Sequence, residues 1–420
     1  MDHIKIRRGH WATQADAPDQ HVCEALMPNS AAFIGADYPR LRPVFKLSEG
    51  DTVTAGQTVF RDRTRPRIAF VAPISGTISQ IAYGPHHTLS LCSITRDANA
   101  PEPGARPPTD DLSESNVRET LLTSGMWPAL RSRPFGRVPD PDARAAAIFV
   151  TATQLSPLAP DPHLVIAQQA QAFAHGMSVL THLTAGPVHV CQSRQEALCA
   201  QTDQIKVTVF KGAMASGLAG THVDRLHAVQ SGHPVWTIGY QDVAAIGHLF
   251  MTGEYATHRV VSITGPGAQQ PKLMRTCLGA RLQDICADQN VEPQNAPPAQ
   301  LMSGDEITGR ASAYLGRFDQ QVTLALKPEP LQRSGWRSRL FTRQGPMTPT
   351  MAIEQALAPN ILPVPLLRAL SVGDTDAARR LGVLALIEED VAVLTRRCTS
   401  GADYGLLLRQ VLDDLMDEGL

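Results

Sequence analysis

The sequence predicts a multidomain α/β protein, and three observations carry that prediction. Between Lys46 and Ile81 short apolar runs alternate with turn signals; from Ala145 to about residue 255 strand-like runs alternate with helical stretches; and after Leu362 the chain turns helical. A length of 420 residues is two to four times that of a typical domain of about 100–200 residues. A hydrophobic content of 43% is enough for packed cores.

In the first of these regions Val53, Val59, Phe60, Ile68, Phe70 and Val71 fall in short apolar runs. Glu49-Gly50-Asp51, Ala55-Gly56-Gln57 and Pro73-Ile74-Ser75-Gly76 close them, which predicts a compact sandwich of hairpins with Gly50, Gly56 and Gly76 at positive φ. The pattern resembles the biotinyl/lipoyl barrel-sandwich hybrid, whose turns read E-G-D-x-V-x-x-G-Q and A-P-x-x-G-x-I. In that module a hairpin presents a lysine for a prosthetic arm. Here the equivalent stretch, Arg61-Asp62-Arg63-Thr64-Arg65-Pro66-Arg67, contains no lysine. A guanidinium cannot be biotinylated or lipoylated, so the module is expected to be a structural or docking element.

A stretch with four prolines, Ala98 to Pro108, reads as a linker. Asn116-x-x-Glu119 then suggests a capping box opening a helix that stops near Gly125. Ala147-Ile148-Phe149-Val150 is a buried-strand run, and Asp161-Pro162 opens a helix that Gly176 is expected to end. Val188 to Cys191 and Ile205 to Phe210 are further strands. Strands alternating with helices imply a Rossmann-type parallel sheet. Arg259 to Ile263 and Gln321 to Leu326 read as strands of another small β unit, with a short helix at Leu278 to Ile285 between them. Helices are expected at Leu362–Leu370, Asp376–Leu384, Glu388–Arg397 and Tyr404–Leu415, forming a terminal bundle.

Net charge is −2, from 38 basic and 40 acidic residues, so no global field points to nucleic acid or an anionic membrane. Seven cysteines without C-x-x-C spacing fit a reducing compartment and argue against a disulfide scaffold or a zinc or iron–sulfur motif. The N-terminus lacks an apolar signal core, and no run reaches the roughly 18 apolar residues of a membrane span.

Two stretches could carry chemistry. Phe210-Lys211-Gly212-Ala213-Met214-Ala215-Ser216-Gly217-Leu218-Ala219-Gly220 follows a strand, and Gly212, Gly217 and Gly220 would let backbone N–H groups approach an anion. It lacks the lysine of a phosphate loop, which favours a tight turn without ligand. Arg131-Ser132-Arg133-Pro134-Phe135-Gly136-Arg137 sets guanidinium groups beside one aromatic ring. Such forks suit a carboxylate, a phosphate or a quinone carbonyl, and Phe135 could stack on a flat ring. The alternative is a loop paired with local acids. His222 and His227 are five apart rather than four, which disfavours a helical metal site. Cys398 stands alone, three ligands short of a cluster.

Several of these stretches, with Ser124-Gly125-Met126-Trp127-Pro128-Ala129-Leu130, Tyr240-Gln241-Asp242-Val243-Ala244-Ala245-Ile246-Gly247 and Leu370-Ser371-Val372-Gly373-Asp374, occur in an order that resembles the NqrA family of the sodium-translocating NADH:quinone reductases. The likeness runs over nearly the whole chain.

It implies a peripheral subunit on the cytoplasmic face of the bacterial inner membrane, docked on the membrane-embedded NqrB component of a six-subunit complex. That complex reduces ubiquinone with NADH and pumps sodium outward. The family is related to RnfC and to the NADH-binding subunit of complex I. The resemblance therefore implies a barrel-sandwich hybrid over 1–100, a Rossmann-like domain over 110–257, a β-grasp-like domain over 258–328 and a helical domain over 345–420.

No redox cofactor is expected on this chain. NADH, FAD, FMN, riboflavin and iron–sulfur centres would belong to partner subunits, and ubiquinone is the candidate ligand, at Arg133, Phe135 and Arg137. Gly212, Gly217 and Gly220 would then be a vestigial nucleotide loop. The competing reading is a flavin- or NADH-binding dehydrogenase module of an RnfC-like complex that uses those glycines. Gly9-His10-Trp11-Ala12 and a shortened stretch before Ile361 depart from the family pattern.

Overall fold

The computed structural model describes residues 1–9, 17–23, 26–97, 100, 104, 107–154, 156, 158–227, 233–289, 299–326, 345–358 and 360–419. Most of the proline-rich linker and all of His10-Trp11-Ala12 lie outside them.

The N-terminal module is a barrel-sandwich of two antiparallel sheets. One orders Ser30–Ile34, Leu89–Arg96, Gly76–Tyr83 and Thr52–Val53; the other orders Pro43–Phe45, Thr58–Asp62 and Ala69–Val71. Val53, Val59, Phe60, Ile68 and Ile78 are buried, the neighbours Val59 and Phe60 both enclosed where the strand register shifts between Thr58 and Phe60. Phe60 stacks on Phe70 with centroids 4.7 Å apart, and Phe33 meets Phe60 edge-on. Gly50 and Gly56 have positive φ as expected, but Gly76 does not. Gly76 is needed for a different reason: a Cβ there would collide with the Thr95 carbonyl on the neighbouring strand.

The hairpin that would carry a prosthetic lysine faces the rest of the protein. Arg65 pairs with buried Asp62 at 2.7 Å and donates to the Val138 carbonyl, while Arg67 reaches Asp142 at 2.7 Å and Glu119 at 3.3 Å. Its arginines tie the module to the α/β unit.

That unit is built on a six-stranded sheet ordered Asp2–Ile6, Ile205–Gly212, Val188–Gln192, Ala147–Ala152, Val235–Gly239 and Arg131–Arg133. Neighbours are parallel except at Arg131–Arg133, which runs antiparallel to Val235–Gly239. The first strand of the chain thus forms one edge. Asp161 caps its helix by accepting from the His163 N–H, as its position before Pro162 predicts. Two local expectations differ. The first helix runs Glu114–Thr123, so Asn116 lies inside it and donates to the Asp111 carbonyl instead of capping. Gly176 does not end a helix but sits within Ala170–Thr181, where that helix crosses Tyr240–Thr252.

A second six-stranded sheet, mixed in direction, orders Arg310–Ala311, Ala299–Ser303, Gln321–Leu326, His258–Thr264, Lys272–Cys277 and Asp19–Cys23. Only Leu282–Ile285 of the expected helix is α-helical, because Gly279 takes φ 69° and begins a turn. One continuous core joins the β module, one face of the α/β sheet and the second mixed sheet. The C-terminal helices Pro363–Val372, Thr375–Arg380, Glu388–Arg397 and Tyr404–Asp417 have a separate core around Leu366, Leu367, Leu394, Tyr404 and Leu412. A unit with its own core must be held to the remainder mainly through its seam.

Candidate functional site

The seam is where the sequence-predicted residues meet. After the edge strand Arg131–Arg133 the chain folds back, with Ser132 N donating to Arg137 O and Gly136 N to Ser132 O. This turn requires positive φ at Phe135 (80°) and Gly136 (63°). A left-handed aromatic residue is uncommon, and such conformations cluster where surrounding contacts enforce them. The turn projects three guanidinium groups toward the C-terminal helices, which answer with carboxylates. Arg131 lies over the Phe318 ring at 4.3 Å and pairs with Glu389 at 3.2 Å. Arg133, 0% exposed, donates to Asp390 Oδ2 at 2.8 Å and to the Ala385 carbonyl at 2.6 Å. Arg137 donates to Asp413 at 2.9 Å. In return Arg409 donates to the Phe135 carbonyl at 2.7 Å and to Glu388. Phe135 itself packs against the C-terminal core.

The glycine-rich loop reaches the same place from the other side. Gly212, with φ 129°, is pressed against the Ile6 carbonyl, so it serves the pairing of two strands. Beyond it come a 3₁₀ turn, Met214–Gly217, and the helix Ala219–Leu226. The Gly217 carbonyl accepts from Thr153 Oγ1 at 3.1 Å. Gly220 lies in the first turn of that helix, and a Cβ there would come within 2.6 Å of the Asp390 Cγ. Asp390 therefore lies against the first turn of this helix, while its hydrogen bonds come from Arg133 and the Ile387 N–H. The structure thus brings Arg133 and Gly220 together on Asp390, while Gly212 and Gly217 are turned to other contacts. A small cleft nearby is lined by Met214, Leu218, Thr221, Ala358, Asp390 and Val393.

A second buried carboxylate lies in the first turn of another helix. Strand order reverses between Ala147–Ala152 and Val235–Gly239, the place where open α/β sheets bind ligands. In the first turn of the helix that follows, Asp242 Oδ1 accepts from Arg259 at 2.6 Å and from Arg317 at 2.8 Å, all three groups buried. Burial alone would raise the Asp242 carboxyl; the two guanidinium groups outweigh it and hold it below its ordinary value. Arg259 and Arg317 come from the mixed-sheet region, so the network also bolts that unit to the α/β sheet.

Sequence reasoning did not identify Asp390, Asp413, Arg409 or Asp242. The available signal was charge patterning: Glu388-Glu389-Asp390 opposes the arginines of 131–137 in sign. Of the histidines, His222 is fully buried with Nε2 2.8 Å from the Ser216 carbonyl, so this nitrogen carries the proton. Among the described residues no group of three or more His, Cys, Asp or Glu could hold a metal ion.

Desolvation, with Arg133 nearby, lowers the His222 pKa from 6.5 to about 4. The unfolded chain therefore takes up a proton on this ring before the folded one. The stability contributed by neutral His222 is complete above pH 6.5 and is lost as pH falls toward 4. His222→Gln is expected to flatten that part of the stability–pH curve, read as urea midpoints at several pH values. An unchanged slope would contradict it.

Fold and seam together define a multidomain α/β chain whose units are joined by buried arginine–carboxylate pairs. Three family models match it: the NqrA N-terminal barrel-sandwich hybrid domain over residues 4–97, the NqrA second alpha/beta domain over 112–255 and the NQRA C-terminal domain over 260–313. The NqrA component of the Na(+)-translocating NADH-quinone reductase of Yersinia pestis is 38% identical over 99% of this chain and 100% of its own length. Its counterpart from Pseudomonas aeruginosa PAO1 is 38% identical, and that from Neisseria meningitidis 36%, with the same coverage. The chain belongs to the NqrA family and is the NqrA component of a Na+-translocating NADH-quinone reductase. A solved chain of an NAD+-reducing [NiFe]-hydrogenase overlaps 73% of this chain and 61% of its own, at 11% identity and a TM-score of 0.38. That likeness is too low to bear on function.

Proposed function

We propose that this protein works by position: it carries no redox cofactor of its own and arranges the complex around it. The observation that carries this reading is that the carboxylates lying at two helix starts, Asp390 against Gly220 and Asp242 in the first turn of its own helix, are buried and paired with the chain's own arginines. A nucleotide phosphate at either place would have to displace a carboxylate and leave a guanidinium to rearrange. On this reading Gly212, Gly217 and Gly220 are a vestigial nucleotide loop. The units are the barrel-sandwich hybrid of 1–100, a Rossmann-like unit over 110–257, a β-grasp-like unit over 258–328 and a helical bundle over 345–420, an arrangement that fits kinship with RnfC and the NADH-binding subunit of complex I. NADH, FAD, FMN, riboflavin and iron–sulfur chemistry then falls to the other members of a six-subunit complex.

The chain would sit on the membrane-embedded NqrB component at the cytoplasmic face; among its described residues no helix is long and apolar enough to cross a membrane. For ubiquinone we propose the 131–137 turn. Phe135, left-handed and half-buried, packs against the C-terminal core, with the half-buried Arg137 two residues on and paired with Asp413. Arg133, enclosed by Asp390 and Ala385, holds the turn in place.

Co-purification from detergent extract, followed by photo-labelling with a quinone analogue, tests both points. The chain is expected to travel with membrane subunits, and label within 131–137 should fall at least about tenfold in Phe135→Ala, the effect of losing a well-placed aromatic contact. Label confined to other subunits would remove this site.

A further inference from the structure

The hairpin of 61–67 divides its arginines. Arg65 and Arg67 turn to Asp62, Asp142 and Glu119, whereas Arg61 Nη1 donates only to the hairpin's own carbonyls, Pro66 O at 2.9 Å and Arg67 O at 3.3 Å. On the neighbouring edge strand, Pro43–Phe45, burial follows a period of two: Arg42, Val44 and Lys46 are exposed, while Pro43 and Phe45 are half-buried. Val44 pairs with Arg61, and Arg63 N donates to the Arg42 carbonyl at 2.7 Å. Arg42, Lys46, Arg61 and Arg63 therefore share one margin of the barrel-sandwich module, and none of them meets a carboxylate among the described residues. The acids nearest in sequence are engaged elsewhere. Arg65 takes Asp62, the Ile81 N–H takes Glu49 at 2.6 Å, and the Ser48 N–H takes Asp51 at 2.8 Å. Arg40 is likewise spent on Asp417. Exposed apolar groups adjoin the four cations: Val44 is 49% exposed, and Tyr83, 52% exposed, stands with its ring 6.1 Å from that of Phe45.

The geometry points to this margin as a surface that rests on the anionic phospholipid headgroups of a membrane. A net charge of −2 gives the chain no overall attraction to such a surface, so the attraction has to be local, and here four cations stand without acids to neutralise them. They are strung along a strand and its partner instead of converging on one point. Dispersed cations with an exposed tyrosine beside them suit a layer of phosphodiesters, whereas an acidic protein segment is gripped best by forks that converge on single carboxylates. Charge on an edge strand also discourages pairing with other strands, but Pro43 already blunts this edge. The inference deepens the docking reading given above: the module would add a lipid contact to whatever protein contact holds the chain.

The test is sedimentation of the purified full chain with vesicles of phosphatidylglycerol and phosphatidylcholine in equal parts. Binding is expected at low ionic strength, with release as salt rises and none to phosphatidylcholine alone. Arg42→Gln, Lys46→Gln and Arg63→Gln together remove three exposed cations that make no side-chain hydrogen bond, so the variant should melt with the native chain. Its partitioning should fall at least about tenfold, since each basic residue at such a surface is worth about fivefold. Arg368→Gln, Arg379→Gln and Arg380→Gln, which remove the same charge from exposed positions of the C-terminal helices, should change it by less than about twofold. Equal binding to neutral vesicles, equal loss in the two triple variants, or no vesicle binding by the folded chain would overturn the inference, the last leaving an acidic protein surface as the occupant. Because no other subunit is present, this result and co-purification with membrane subunits can fail independently.

Discussion

Replacing Asp242 by alanine is expected to lower stability by about 3–5 kcal/mol, the cost of leaving a buried charge without its partner. Two such charges are stranded here, since Arg259 and Arg317 both donate to Asp242 Oδ1 and are 4% and 8% exposed. Neither guanidinium can shed its proton, so each must find water or another acid. Reaching water means separating the mixed-sheet strand His258–Thr264 from the helix Tyr240–Thr252. The loss should therefore be local before it is global. Amide exchange should quicken over 258–264 at denaturant concentrations where Val188–Gln192 is still protected. A urea midpoint shift worth less than about 1 kcal/mol would mean that the network is solvated and unimportant.

Gly247→Ala is the second large effect, and its sign is diagnostic. On propensity alone, alanine in a helix interior is better than glycine by about 1 kcal/mol. At this position, however, an added Cβ would lie 2.6 Å from the Gly176 nitrogen and closer still to the Ala172 carbonyl oxygen. Gly176 is equally pressed against the Val243 carbonyl. The two helices cross backbone to backbone, and a methyl group must push apart elements that pack against the whole sheet. Overpacking costs roughly 1–3 kcal/mol and more when the obstacle is backbone. Net destabilisation of about 2 kcal/mol is expected, measured by thermal or urea unfolding. A more stable variant would show that the crossing is looser than the structure gives.

The same glycine pair shows where sequence reading stops. Gly176 follows a helical run, and glycine commonly ends helices; nothing local distinguishes that use from a close crossing with residue 247. Gly76 was legible as an obligatory glycine but not for its reason, which is the Thr95 carbonyl on another strand. Alternation of apolar and polar residues located the strands of the β module and of the parallel sheet to within a few residues, because burial of one face is written locally. The pairing of Asp2–Ile6 with Ile205–Gly212, and of Arg133 with a carboxylate 257 positions away, is not local and left no periodic trace. The arginines of 131–137 were conspicuous by type, while their partners looked like an ordinary acidic first turn of a helix. What the sequence did carry was a negative sign: a β module without its lysine and a glycine loop without its phosphate-loop residues.

Those missing groups are matched in the structure by groups that take their place. Arg65 and Arg67 dock the hairpin, and Asp390 and Asp242, beside the two helix starts, are held by buried arginines. The absorbance spectrum of the purified full chain, with acid extracts assayed for flavin and nicotinamide, tests this most directly. The account predicts a colourless protein with far less than one equivalent of either. A yellow protein holding stoichiometric flavin through gel filtration would contradict it.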